Sequence, residues 1–275
     1  MPGNADLHLH TNYSDGNLNP RELFKKAADA GLSAISITDH DSIDGCTEAL
    51  ELYKEFGIDF ITGIEFSCYE DSREYHIIGY HIDITHKNLL EHLKEFKDAR
   101  LKRAEKILAK LNIQSIPLTL DEILKRAGQA PIARPHIASA MLERGFITSQ
   151  KEAFYLYLGE GKPAYEAKMQ FSIEHAVKLI NESGGVAVLA HPARTVSPEH
   201  LYKMIKKGLD GIEVIHPMHD ESLVKYYRSI ASQYWLLETG GSDFHGSRDY
   251  DESNFGKFVV PATIVDSIRR HSAKR

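Results

Sequence analysis

Six short stretches of this chain gather histidines and carboxylates: Asp6-Leu7-His8-Leu9-His10-Thr11, Thr38-Asp39-His40-Asp41, Gly63-Ile64-Glu65, Glu74-Tyr75-His76, Ala190-His191-Pro192 and Ser242-Asp243-Phe244-His245. Five of them carry a histidine, and the other brings Glu65 alone. Imidazole and carboxylate donors without cysteine suit zinc, manganese or iron in a hydrolytic centre, where metal ions offset negative charge and acidify water. One histidine on a strand is usually structural. Recurrence along a single chain is what points to a metal centre.

The elements that must position these groups can be read around them. Residues 5–10 alternate apolar and polar, the period of a β-strand. His8 and His10 therefore face the same way, about 7 Å apart at Cα. In five of the six stretches an apolar run reads as a strand with the polar group near its end; in Glu74-Tyr75-His76 the histidine opens the run. Polar groups at successive strand ends are the pattern of a β/α barrel, whose chemistry sits at the C-terminal rim. Asn19 and Pro20 start a helix over 21–30 that stops at Gly31. Strand 33–38, helix 44–56 closed by Gly57, and strand 59–68 follow. This β-α-β-α-β spacing argues for parallel strands with crossover helices. A strand over 74–82 carries His76 and His81 on opposite faces, of which His76 is favoured.

The rhythm then breaks. One long amphipathic helix runs through Leu89, Leu93, Phe96, Ala104, Ile107, Leu108 and Leu111, and shorter helices are expected at 120–127, 135–144 and 150–158. Residues 86–171 read as a helical insertion forming a lid, with 1–85 and 172–275 as the barrel. The alternation resumes with helix 173–182, strand 186–190, helix 198–207, strand 211–215, helix 221–232, strand 234–237 and a last short strand at 255–260.

Composition narrows the class. With 33 Lys and Arg against 39 Asp and Glu the formal net charge is −6, which disfavours a broad grip on duplex nucleic acid. A nucleotide or a short strand end remains compatible, because bound cations reverse the local field. Hydrophobic residues make up 42%, ordinary for a globular chain, and no apolar run is long enough to span a bilayer. Cys46 and Cys68 form no metal or redox spacing, and two thiols without a disulfide framework fit a reducing, cytoplasmic setting. Oligomeric state is not readable.

Taken in order, Asp6–Thr11, Thr38-Asp39-His40, Gly63-Ile64-Glu65, Ala190-His191-Pro192 and Gly241–His245 resemble the successive motifs of the PHP family, named for its polymerase and histidinol phosphatase members. Ala133-Arg134-Pro135-His136 and Gly161-Lys162-Pro163-Ala164-Tyr165 resemble insertion motifs of a branch of stand-alone phosphoesterases. That branch includes phosphatases of AMP or 3′,5′-bisphosphonucleotides and a 5′-to-3′ exonuclease of short RNAs. The resemblance implies an α/β fold, a distorted seven-stranded (β/α) barrel holding three divalent ions of manganese, zinc or iron. It implies one ion on His8, His10, Glu65 and Asp243, a second on Glu65, His76 and His191, and a third on Asp15, His40 and His245. Asp243, Glu65 and His191 are the catalytic residues on this reading. Glu65, shared, would hold two ions close enough for one activated hydroxide to attack phosphorus in line.

Outside the metal set, Arg134 and Lys162 read as phosphate partners, because guanidinium and ammonium groups bind phosphate; His136 and Arg194 are weaker candidates for substrate contact. Asp6 and Asp39 read as acceptors for imidazole N–H groups beside them. His216 and His219 end a strand and are not required as ligands. The expected activity is hydrolysis of a nucleotide phosphate or of the 5′ end of a short oligoribonucleotide. The runner-up substrate is histidinol phosphate, and a binding module without turnover is the reading from another class.

Overall fold

The structure, a computed structural model, describes residues 3–71 and 73–274. The chain divides into two compact units, Met1–Leu90 with Phe171–Arg275, and Glu91–Gln170. The division falls inside a helix, after Leu90, rather than before that helix begins.

In the first unit the order is β1 (Asn4–Leu9), α1 (Pro20–Asp29), β2 (Leu32–Ile37), α2 (Asp44–Phe56), β3 (Asp59–Glu70) and β4 (Arg73–Tyr80). The second unit holds most of α3 (Lys87–Ile113), then α4 (Leu120–Ala127), α5 (Arg134–Glu143) and α6 (Gln150–Ala153). The first unit resumes with α7 (Ile173–Glu182), β5 (Val186–Leu189), α8 (Pro198–Lys206), β6 (Gly211–Ile215), α9 (Glu221–Tyr234), β7 (Leu237–Gly240), α10 (Asp251–Asn254), β8 (Val260–Pro261) and α11 (Thr263–Ser272).

The strands form one sheet in the order β7-β6-β5-β4-β3-β2-β1-β8. A parallel bridge between Leu9 and Phe244, just past β7, brings the two ends of the sheet together. β1 to β7 thus make a nearly closed barrel, and β8 adds two antiparallel residues outside β1. β4 is the irregular member, antiparallel to both β3 and β5. An antiparallel strand enters the barrel where its neighbours leave it. His76, early in β4, is therefore carried to the same rim as groups that end the parallel strands, opposite Ser67 of β3.

Local chemistry explains the elements. Asn19 accepts from Glu22 N–H while the Glu22 carboxylate accepts from Asn19 N–H, a capping box that starts α1. The buried face of α1, with Leu23, Phe24 and Ala27, packs with Leu9, Ile35 and Ile37 of the strands and Cys46, Ala49 and Leu52 of α2. Each such aliphatic or aromatic side chain contributes about 2 kcal/mol by leaving water. Ala5, Leu7, Ile61, Ile78, Tyr80 and Val188 make a second cluster, joined by Val265 and Ile268 of α11. The helical unit has its own core of Ile107, Leu111, Ile123, Ile137, Met141 and Leu158.

Three expected elements differ. The strand expected at 234–237 begins only at Leu237: Tyr234 ends α9, and Trp235 caps it in the left-handed region (φ 58°). The strand expected at 255–260 shrinks to Val260–Pro261; Phe255 instead follows α10 and packs edge-on against Phe244, ring centroids 4.9 Å apart. The helix expected over 150–158 is α-helical only to Ala153, then widens to a π-turn over Phe154–Leu158.

Candidate metal centre

Glu65, fully buried, is the hub of the rim. Its Oε1 lies 2.9 Å from His76 Nδ1 and 3.0 Å from His191 Nε2. Its Oε2 lies 3.1 Å from His40 Nδ1 and 3.4 Å from both His8 Nε2 and His10 Nε2. Asp243 Oδ1 closes that side, 3.4 Å from His8 Nε2 and 3.2 Å from His10 Nε2. On the far side His245 Nε2 lies 3.2 Å from Asp15 Oδ1, and His40 Nε2 lies 3.9 Å from Asp15 Oδ2. All nine nominated groups thus converge. They offer donor atoms in four overlapping sets: His10-Asp15-His40-His245, His8-His10-Asp243, His8-Glu65-His191 and His40-Glu65-His76. Five buried donor atoms, His8 Nε2, His10 Nε2, His40 Nδ1, His216 Nε2 and Glu65 Oε2, have no hydrogen-bond partner. Buried polar atoms are ordinarily paired, and a set of unpaired lone pairs facing one another fits a divalent cation.

Other groups hold this set in place. Glu213, buried on β6, bonds His8 Nδ1 through Oε1 (3.0 Å) and accepts the backbone N–H of His191 through Oε2 (2.7 Å). A carboxylate on Nδ1 keeps the proton there and turns the Nε2 lone pair toward the centre. The acceptor roles expected of Asp6 and Asp39 are corrected: Asp6 Oδ1 takes the backbone N–H groups of His8 and Ser242, and Asp39 takes Thr11 N–H, Thr11 Oγ1 and Ser14 Oγ. Both tie loops to strands, and the imidazole is served by Glu213. His191 and Asp243 sit in left-handed backbone (φ 26° and 52°), strain that side chains other than glycine adopt rarely. Gly241 is a glycine because a Cβ there would lie 2.5 Å from the His8 backbone nitrogen.

Burial and charge oppose each other throughout. Burial works against the charged form of Glu65, yet His76, His40 and His8 hold it well below the usual carboxylate range. Burial likewise disfavours a charged His76, but Glu65 pushes it up to about 10. His10 goes the other way, down to about 4, through burial and the neighbouring His245. Burial penalises ionised Asp243, and His8 and His10 more than reverse that.

A cavity of about 510 Å³ opens beside the centre, lined by His40, Glu65, His76, His191, His216, Pro217, Met218, Ser242, Asp243, Arg248, Tyr250 and Asn254, a size in the range of small-molecule sites. Arg194 is not among these residues; its exposed guanidinium pairs with Asp220 Oδ2 at 2.6 Å and reaches Ser222. Arg134, His136 and Lys162 belong to the helical unit. There Arg134 donates to Leu158 O and lies over the Phe154 and Tyr165 rings, His136 Nδ1 accepts Ala133 N–H, and Lys162 Nζ lies 4.8 Å from the Tyr155 ring centre. Sequence reasoning missed Glu213 and Arg248. The signal for Glu213 was a lone carboxylate inside the apolar run Gly211-Ile212-Glu213-Val214-Ile215; Arg248, on a loop, carried none.

A nearly closed barrel whose rim gathers this many imidazoles and carboxylates defines a metal-dependent hydrolase. Residues 6–156 match the PHP domain model. The chain is 34% identical to the 5′-3′ exoribonuclease of Haemophilus influenzae over 89% of its own length and 91% of that protein's. It is 33% identical to the 3′,5′-nucleoside bisphosphate phosphatase of Chromobacterium violaceum, covering 90% of each. The structure superposes with TM-score 0.84 on a protein of Bifidobacterium adolescentis described as a metal-dependent phosphoesterase, at 30% identity, covering 96% of this chain and 94% of that one. The chain belongs to the PHP family and is a metal-dependent phosphoesterase. Among the described residues no helix is long and apolar enough to cross a membrane.

Proposed function

We propose that the chain hydrolyses the phosphate ester of a nucleotide, AMP or a 3′,5′-bisphosphonucleotide, or the 5′ end of a short RNA, with three divalent ions of manganese, zinc or iron. The unpaired, convergent donor atoms around Glu65 are the observation that carries this reading. His8, His10, Glu65 and Asp243 would hold one ion, Glu65, His76 and His191 a second, and Asp15, His40 and His245 a third. Ions held there supply Lewis-acid charge and a water acidic enough to attack at neutral pH. The chain's own part is orientation. Glu65 divides its two oxygens between His76 with His191 and His8, His10 with His40, so one carboxylate would serve two ions. Glu213 fixes the His8 tautomer and the His191 backbone together. The cavity beside Asp243 receives the phosphoryl group. Arg134, His136 and Lys162 of the helical unit are the proposed substrate contacts beyond the barrel, and Arg134→Ala should raise KM for phosphorylated substrates.

The substrate class is supported by the two relatives, a 5′-3′ exoribonuclease and a 3′,5′-nucleoside bisphosphate phosphatase, both of which act on nucleotide phosphoesters. The test is phosphate release by manganese-loaded protein with chelator-stripped protein as control. AMP, adenosine 3′,5′-bisphosphate, histidinol phosphate and a 5′-phosphorylated short RNA are compared, with RNA products resolved by size. Release from the bisphosphonucleotide alone makes it a nucleotide phosphatase. Stepwise mononucleotides make it an exonuclease. Turnover of histidinol phosphate alone, or of none of the four, defeats the nucleotide reading.

A further inference from the structure

Arg248 is the one arginine or lysine among the described residues lining the 510 Å³ cavity. Its backbone is held firmly. The Asp251 carboxylate, itself 1% exposed, accepts with Oδ2 the N–H groups of His245 (3.2 Å), Ser247 (3.0 Å) and Arg248 (3.0 Å). A buried anion taking three backbone donors pins the turn that follows His245 and aims the next side chain at the cavity.

The guanidinium is bound by two acceptors. Nη1 donates to Asp243 Oδ2 at 2.8 Å, and Nη2 lies 3.0 Å from His245 Nε2. His245 Nδ1 lies 2.8 Å from the Asp243 carbonyl, and its Nε2, besides facing Nη2, lies 3.2 Å from Asp15 Oδ1. These two acceptors belong to the set nominated for metal. A lone pair given to a cation cannot also take an N–H, so loading the centre frees at least the His245 half of this grip. The freed N–H groups face the cavity, with the side chain 34% exposed, and a phosphoryl group presents oxygens at the spacing a guanidinium fork prefers.

We propose that Arg248 is the barrel's phosphate-binding arginine, its guanidinium turning from His245 to substrate or product phosphate when a metal ion takes the His245 lone pair. This deepens the phosphoesterase reading and rests on it. It places a specificity element on the loop after Asp243-Phe244-His245, independent of the cations of the helical unit.

Calorimetric titration of inorganic phosphate into the manganese-loaded full chain tests it, with metal content measured on each sample. Arg248→Ala should weaken phosphate binding roughly tenfold to a hundredfold, the range of a charge-assisted contact. Arg248→Lys should recover part of that, because it keeps the charge and loses the two-point fork. With a turned-over substrate, KM should rise more than kcat falls, whereas a residue that only orients Asp243 would lower kcat and leave phosphate affinity alone. Phosphate affinity within twofold of wild type in Arg248→Ala, a loss that vanishes at matched metal content, or a wild type that binds no phosphate would each overturn the proposal. A wild type that binds phosphate yet hydrolyses none of the nucleotide substrates defeats the substrate reading separately, and the Arg248 comparison still decides this one.

Discussion

Replacing Glu213 with glutamine changes one buried atom and should disable the metal centre without unfolding the barrel. The carbonyl oxygen of the new amide can still accept the His191 N–H, which Glu213 holds at 2.7 Å. The amide nitrogen then faces His8 Nδ1, 3.0 Å from the Glu213 carboxylate in the native protein. Two N–H donors cannot share that gap, so the His8 proton moves to Nε2, and Nε2 loses the lone pair it points between Glu65 and Asp243. Loss of a partner that orients a metal-binding imidazole typically costs tenfold to a hundredfold in metal affinity, about 1.4–2.8 kcal/mol. Manganese affinity is read by titration against a metal buffer, and the fold by circular dichroism and thermal melting. Activity should return at saturating metal, since the ligand atom is weakened rather than removed. Glu213→Ala should be worse in stability, by roughly 3–5 kcal/mol, because it leaves His8 and the His191 N–H unpaired in a dry site. Native metal affinity in Glu213→Gln would refute the tautomer argument.

Three further outcomes follow from the geometry. Asp243→Asn should cut kcat/KM by roughly a thousandfold or more while the far-ultraviolet spectrum stays native, because an amide replaces the carboxylate 3.2 Å from His10 Nε2; an active variant would remove Asp243 from the centre. Gly241→Ala should lower metal occupancy and cost about 1–3 kcal/mol in stability, since its Cβ would press the His8 backbone nitrogen; unchanged melting and metal content would contradict that packing. Burial pushes the Asp6 carboxyl up to about 7, against the pull of the Ser242 and His8 N–H groups. A raised carboxyl stabilises the folded chain fully below about pH 4 and loses that contribution as pH rises through 7. In chelator, wild type should therefore lose stability relative to Asp6→Asn between pH 5 and 8, and a constant difference in melting temperature across that span would count against it.

Much of the centre was legible because its information is local. His8 and His10 share a face by the two-residue period of β1, and His40 follows a strand whose apolar run is plain in the sequence. The direction of β4 is legible in the same way. Only residues 69–73 separate the strands expected at 59–68 and 74–82. That spacing joins an antiparallel pair and is far too short for the crossover a parallel pair needs. It explains why His76 opens its strand while the other groups close theirs. Arg194 illustrates the converse: position after a ligand strand suggested the pocket, but Asp220, 26 residues on, holds it at the surface. Partners that far away leave no periodic trace.

Glu213 shows where a sequence can be questioned harder. A carboxylate in the middle of a five-residue apolar strand is either exposed or held by a partner, because an unpaired buried charge is too costly to keep. The run Gly211–Ile215 sits between crossover helices on a strand flanked on both sides, so exposure was the weaker alternative. The buried partner had to be cationic or a strong donor, and the chain's conspicuous supply of those is its histidines. His8, 205 residues away, is the one the fold delivers. The lone acid in an apolar strand thus marks the histidine rim as surely as the histidines do. It also states why the barrel tolerates so many buried charges: each carboxylate described at the rim is matched to an imidazole or a backbone N–H, while His8 Nε2, His10 Nε2, His40 Nδ1 and Glu65 Oε2 are left unpaired facing the centre.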